Sequence, residues 1–125
     1  MSTTGEIAIQ ARFHPSRRWI TIPLVVGGRR LISAVLDTGS PVSAISPRIE
    51  RVLSGDGLLL PSARPNRRRL ADLRVQGQPL PDLEVAVLNR LDRLAVDGLL
   101  GLDFLTHFEH IHFHTRALQL ILDPA

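Results

Sequence analysis

The sequence predicts a single, mostly β domain with one or two short helices, packed as a small barrel or sandwich. Three observations lead there. Apolar residues alternate over short runs, glycine pairs and prolines interrupt those runs, and helical spacing of apolar residues is confined to brief stretches. At 125 residues the chain is expected to be one domain, residues 1–125. With 44% hydrophobic and 22% charged residues it is of the globular class, not the disordered one.

The elements follow in order. Residues 6–13 set Ile7, Ile9 and Ala11 on one parity, the pattern of a half-buried strand. Residues 19–26, rich in Ile, Val and Thr, read as a second strand. Gly27-Gly28 turns the chain, because both positions accept positive φ, and residues 29–36 return as the hairpin partner. The hairpin delivers the chain to Asp37-Thr38-Gly39-Ser40. Ser46 and Pro47 read as an N-cap with proline at the first helical position, opening a turn or two of helix over residues 47–53. Residues 54–57, Ser-Gly-Asp-Gly, break it.

Residues 58–69 hold Pro61, Pro65, Arg64, Arg67, Arg68 and Arg69 and read as an exposed loop or an irregular hairpin. Residues 70–75 and 83–88 are two more strands, joined through residues 77–82. Residues 89–97 form a polar-apolar connector, and residues 98–101 a short apolar strand bracketed by glycines. Leu102, Leu105 and Phe108 stand at helical spacing. Residues 109–114 and 117–122 close the chain as a hairpin around Thr115-Arg116.

Charge excludes little: fifteen arginines and no lysine stand against twelve acids, a net +3. The absence of cysteine excludes disulfides, thiolate nucleophiles and cysteine-ligated metals. The start, MSTTGEIAIQ, lacks a basic segment followed by a long apolar one, and no run reaches the ~18 apolar residues of a membrane span. A cytoplasmic protein without membrane contact is the expectation.

The chemistry concentrates in Val35-Leu36-Asp37-Thr38-Gly39-Ser40. An acid ending a buried apolar run is costly unless it is hydrogen-bonded. Gly39 permits a tight loop that brings backbone N–H groups to the carboxylate, and Thr38 and Ser40 supply hydroxyls. The tetrapeptide alone suits an ordinary Asx turn at a strand end equally well. A second motif, Leu99-Leu100-Gly101, follows some sixty positions later and leads into Leu102-Asp103-Phe104-Leu105. Two apolar residues before Asp-Thr/Ser-Gly-Ala/Ser, then a later apolar-apolar-Gly, resemble the retropepsin-like aspartic proteases. The stretch GLLGLDFLTHF resembles cellular and bacterial members, the protease domains of the DNA-damage-inducible ubiquitin-shuttle family in particular, more than viral ones.

The resemblance implies a small closed β-barrel or sandwich that is half of a two-fold dimeric acid protease. It makes Asp37 the catalytic acid, Thr38 the threonine that bonds across two catalytic loops, and Gly39 and Ser40 the rest of the supporting loop. Leu99, Leu100 and Gly101 become the strand beside that loop, with contact to substrate. One Asp-Thr-Gly per chain implies a homodimer acting on peptide or protein substrates with a water nucleophile and no metal or cofactor. Ser40 stands where many retroviral members have alanine, and its hydroxyl is expected to donate to Asp37. Where retroviral members pair an acid after the tetrapeptide with an arginine after the later glycine, this chain has Pro41 and Leu102, which implies a different local solution. Between Ser54 and Leu70, where the family's flap falls, glycine occurs only at Gly55 and Gly57, so a mobile or open flap is expected over residues 58–69. The rival is the same fold used for peptide binding or dimerisation without cleavage.

Three further features have plainer readings. His110, His112 and His114 alternate with Ile111 and Phe113; a His-x-His face can bind Zn²⁺, but a strand with one polar face explains it, so no metal is expected. The arginines of residues 64–69 read as a solvated loop, not a nucleic-acid site, because aromatic residues are only 4% and no nucleic-acid motif accompanies them. As part of a flap they would favour acidic peptides. Asp103 is expected to complete a helix N-terminus.

Overall fold

A computed structural model describes residues 6–124. Residues 1–5, where the segment inspected for a leader begins, and residue 125 lie outside the described residues. Strands β1 (Ile7–Gln10) and β2 (Arg12–Phe13) precede the hairpin of β3 (Ile20–Val26) and β4 (Arg30–Leu36), followed by β5 (Ala44–Ile45) and helix α1 (Pro47–Gly55). Then come β6 (Leu59–Pro61), β7 (Arg68–Leu70), β8 (Leu73–Val75), β9 (Gln78–Pro79) and β10 (Leu83–Val87). Helix α2 (Arg90–Arg93), β11 (Gly98–Leu100), α3 (Leu102–Leu105), β12 (Phe108–His114) and β13 (Gln119–Pro124) complete the described chain. The fold is mostly β, as expected, and no described helix is long and apolar enough to cross a membrane.

One large sheet runs in the order β6-β7-β10-β5-β11-β4-β3-β8-β9, with β2 added to β3, and it curls into a half-barrel. A three-stranded sheet, β1-β13-β12, closes one side. The alternation of β1 sends Ile7 and Ile9 inward, where they meet Ile22, Leu24, Leu53, Leu100, Phe104 and Leu122 in one core. Gly27 and Gly28 turn the β3-β4 hairpin at φ of +60° and +70°. The positive φ selects glycine at position 27, where a side chain would also have to displace the end of the Leu58 side chain.

Helix α1 forms where the capping signals placed it. Ser46 is extended and its Oγ accepts the Ile49 N–H at 3.1 Å, with Pro47 opening the first turn. Ile49 and Leu53, one turn apart, are buried. Beyond the helix Asp56 is tied to the β3-β4 turn. Its carbonyl accepts from Arg29 at 2.7 Å and its carboxylate pairs with Arg30, whose hydrogen bond holds the Asp56 carboxyl below its ordinary range.

Some local expectations change. Residues 58–69 contain a true hairpin, β6 on β7 in the register Leu59↔Leu70 and Pro61↔Arg68, with β7 also paired to β10. Residues 70–75 are not one strand: Asp72, at φ +53°, breaks it into β7, which belongs to β10, and β8, which belongs to β3. The connector of residues 89–97 contains α2, and the helical spacing of residues 102–108 yields only α3 before Phe108 enters β12.

Candidate active site

The loop of residues 37–43 joins β4 to β5, yet those strands are not neighbours. Strand β11 lies between them, parallel to β4 (Gly98↔Ala34, Leu100↔Leu36) and antiparallel to β5 (Gly98↔Ile45, Leu99↔Ala44). The loop therefore arches over the end of β11, and backbone bonds lock it there. The Asp37 N–H donates to the Leu100 carbonyl at 3.0 Å and the Leu102 N–H to the Ser40 carbonyl at 2.8 Å. Gly101 passes beneath the arch. A Cβ there would lie 2.6 Å from the Ser40 carbonyl oxygen and 2.7 Å from that of Val42, so only glycine fits without moving backbone.

Asp37 is half-buried at the head of the loop. Its Oδ1 accepts the Gly39 N–H at 2.9 Å, and its carbonyl accepts the Ser40 N–H at 3.2 Å. Thr38, next to it, is exposed. Ser40 departs from expectation. Its hydroxyl donates to the Val42 carbonyl at 2.7 Å, and one proton cannot serve two acceptors, so the donor to Asp37 is the Gly39 backbone.

Asp103 and Ser43 tie down the far arm of the loop. Asp103 Oδ2 accepts the Ser43 N–H at 2.9 Å, and Oδ1 accepts the Ser43 hydroxyl at 2.6 Å. The buried Ser43 Oγ in turn accepts the Gly101 N–H at 3.0 Å. Asp103 does serve its helix, accepting the Phe104 N–H at 2.8 Å, but its larger part is to clamp the far arm of the loop to β11 and α3.

A cleft of about 150 Å³ opens beside the Asp37 side chain, walled by Trp19, Val35, Leu91, Leu94 and Leu99, with Arg90 also lining it. His14, buried and unremarked in the sequence, packs against one of its walls and ties down the turn after α2. Its ring meets Trp19 edge-on at 5.2 Å. Nδ1 accepts the Ser16 N–H at 3.1 Å, which leaves Nε2–H to donate to the Ala95 carbonyl at 2.8 Å. Of the residues expected to contact substrate, Leu99 lines this cleft. Leu100 instead points into the core and Gly101 serves the backbone crossing, so neither contributes a wall. Trp19 also lines a larger groove of about 500 Å³, together with Leu36, Thr38, Leu105, Ile111 and Phe113.

The histidines of β12 are exposed. The rings of His110 and His112 stand 5.9 Å apart, Asp123 faces His110 at 3.7 Å, and no set of three metal-binding side chains converges among the described residues. Around the β6-β7 hairpin the arginines find carboxylates: Arg64 with Glu84 at 4.0 Å, Arg68 with Glu50 at 3.8 Å and Arg69 with Asp82 at 3.2 Å.

The clamp gives a direct test. Asp103→Asn keeps the shape but turns one acceptor oxygen into a donor facing Ser43, so it should destabilise the fold by about 1–3 kcal/mol. Thermal unfolding of the two proteins measures this; an unchanged midpoint would show that the clamp carries no weight.

No family model and no curated protein matches the chain. Solved structures do. A retropepsin-like aspartic protease from Rickettsia conorii superposes with a TM-score of 0.61 at 23% identity, over 94% of this chain and 90% of that one. The retroviral protease-like domain of Ddi1 from Leishmania major superposes with a TM-score of 0.57 at 16% identity, over 85% of this chain and 93% of that one. One is bacterial and one cellular, the two kinds of member that the sequence resembled. The likeness spans nearly the whole described chain, and the fold of this protein is the retropepsin-like fold.

Proposed function

We propose that the protein is an aspartic endopeptidase whose active form is a homodimer, with one Asp37 from each subunit. The observation that carries this is the setting of Asp37: a half-buried carboxylate held by the Gly39 N–H on a locked loop, at an apolar cleft, one per chain. The retropepsin-like fold supports it. Thr38 and the apolar groove next to it, where Ile111 is 38% exposed, support a second copy of the chain as the partner.

The chemistry needs both acids. Two carboxylates about 3 Å apart cannot both ionise, so they share one proton. The ionised Asp37 takes a proton from a water molecule as that water attacks the scissile carbonyl. The protonated Asp37 donates to the carbonyl oxygen and stabilises the tetrahedral intermediate. Proton transfer to the amine then lets it leave, and the C–N bond breaks. The Gly39 N–H holds Oδ1 in place, and the apolar walls limit competing water.

Asp37→Asn tests this first. The change is nearly isosteric, so the variant should retain the thermal midpoint while losing all measurable cleavage of an unstructured peptide library. Wild-type-like cleavage by the variant, or no cleavage by the wild type across acidic and neutral pH, would contradict the proposal.

Ser40 gives a test in pH. A shared-proton pair has a bell-shaped profile whose limbs belong to the pair. A lost donor to the ionised form would raise the first pKa and move the acid limb to higher pH. Because the Ser40 hydroxyl is engaged by Val42, Ser40→Ala should leave that limb in place and weaken the fold by about 1 kcal/mol. An acid limb displaced upward by roughly a pH unit would show the hydroxyl turned to Asp37 in the working enzyme.

A further inference from the structure

Arg90 shares the cleft with Asp37 and, unlike Arg64, Arg68 and Arg69 of the β6-β7 hairpin, has no carboxylate within ion-pair distance among the described residues. It stands exposed at the first turn of α2 and lines the cleft together with the apolar Leu91, Leu94 and Leu99. A space of about 150 Å³ accommodates one benzene-sized group, hence a single side chain. An apolar side chain entering it would suit the walls but take water from the guanidinium and give nothing back. A basic one would be repelled. An acidic one of sufficient length satisfies both, its methylenes against the walls and its carboxylate on the guanidinium fork, a charge-assisted and potentially bidentate contact that must outweigh the single negative charge left on the two proton-sharing Asp37 carboxylates.

We propose that Arg90 is a specificity-determining residue, and that the cleft takes an acidic side chain, glutamate best, from a residue flanking the scissile bond. This rests on Asp37 being the catalytic acid. It moves the selection of acidic peptides from the arginines of residues 64–69, where the sequence suggested it, to the cleft itself. In a two-fold dimer the second Arg90 lies on the other side of the scissile bond, so an acid is favoured on either side.

The test uses a series of unstructured, otherwise uncharged peptides that differ at one position between apolar residues, carrying Glu, Gln or Lys there. The wild type should cleave the Glu peptide with a kcat/KM roughly fivefold to tenfold above the Gln peptide. That ratio should shrink as pH falls through the glutamate range near ~4.3, because the protonated side chain loses its charge. Arg90→Gln should bring the ratio close to one, Arg90→Lys should keep most of it, and Arg90→Glu should turn the preference to the Lys peptide. Equal cleavage of Glu and Gln peptides by the wild type, or a ratio unmoved in Arg90→Gln, overturns the proposal and leaves the role of Asp37 intact. If no peptide is cleaved, the role of Asp37 fails, and titration of the same peptides with a fluorescent label decides Arg90 alone. Tighter binding of the Glu peptide, abolished by Arg90→Gln, supports it; equal binding overturns it.

Discussion

Gly101 passes under two carbonyl oxygens, and the site depends on that crossing. β11 can be threaded between β4 and β5 only if the chain leaving it slips beneath the loop that joins them. A Cβ at this point would force the Ser40 to Val42 backbone upward, and Asp37 with it. With glycine in place the crossing becomes a source of rigidity. Leu100 and Leu102 bond the loop on either side of the crossing, and Asp103 holds Ser43 on its far arm. The acid is thus fixed by backbone and by a neighbouring carboxylate, with no cation needed to tie the loop down.

That arrangement separates two tasks that both involve aspartate. Asp103 is saturated by N–H and O–H donors, which is how a partly buried carboxylate is kept without a counter-charge. Asp37 accepts one N–H within the chain and faces a cleft. A carboxylate with remaining acceptor capacity beside an apolar cleft is suited to bind water and exchange protons; a saturated one is suited to hold structure. The same contrast applies to the arginines, where Arg64, Arg68 and Arg69 are paired and Arg90 lines the cleft.

Much of this was legible in the sequence, for identifiable reasons. The Gly27-Gly28 hairpin, the Ser46-Pro47 helix start and the burial of Ile7 and Ile9 follow from local rules that the tertiary structure leaves in force. The site loop was singled out only when Asp37-Thr38-Gly39-Ser40 was taken together with the later Leu99-Leu100-Gly101, since the tetrapeptide alone suits an Asx turn equally well. What escaped depends on contacts distant in sequence. Strand β5 is two residues long and exists only because β10 and β11 flank it. The break at Asp72 arises because β7 and β8 are claimed by different partners. Ser40 was assigned to Asp37 by proximity in sequence, whereas the turn carries its hydroxyl to Val42. The clamp spans sixty positions, and in the sequence Asp103 was read only as the acid of a helix N-terminus. His14 and Arg90 gave no signal, since what matters in each is where α2 folds back to the β3 entry.

The central claim is that one chain carries half of a catalytic site. Mixing wild-type protein with Asp37→Asn, dissociating and reassembling the subunits at constant total concentration, and measuring peptide cleavage against the wild-type fraction tests it directly. If every working site needs an Asp37 from each subunit, activity follows the square of that fraction, about a quarter of the full value at equal mixing. Activity proportional to the fraction itself, about half at equal mixing, would mean that each chain is a complete site and would contradict the account.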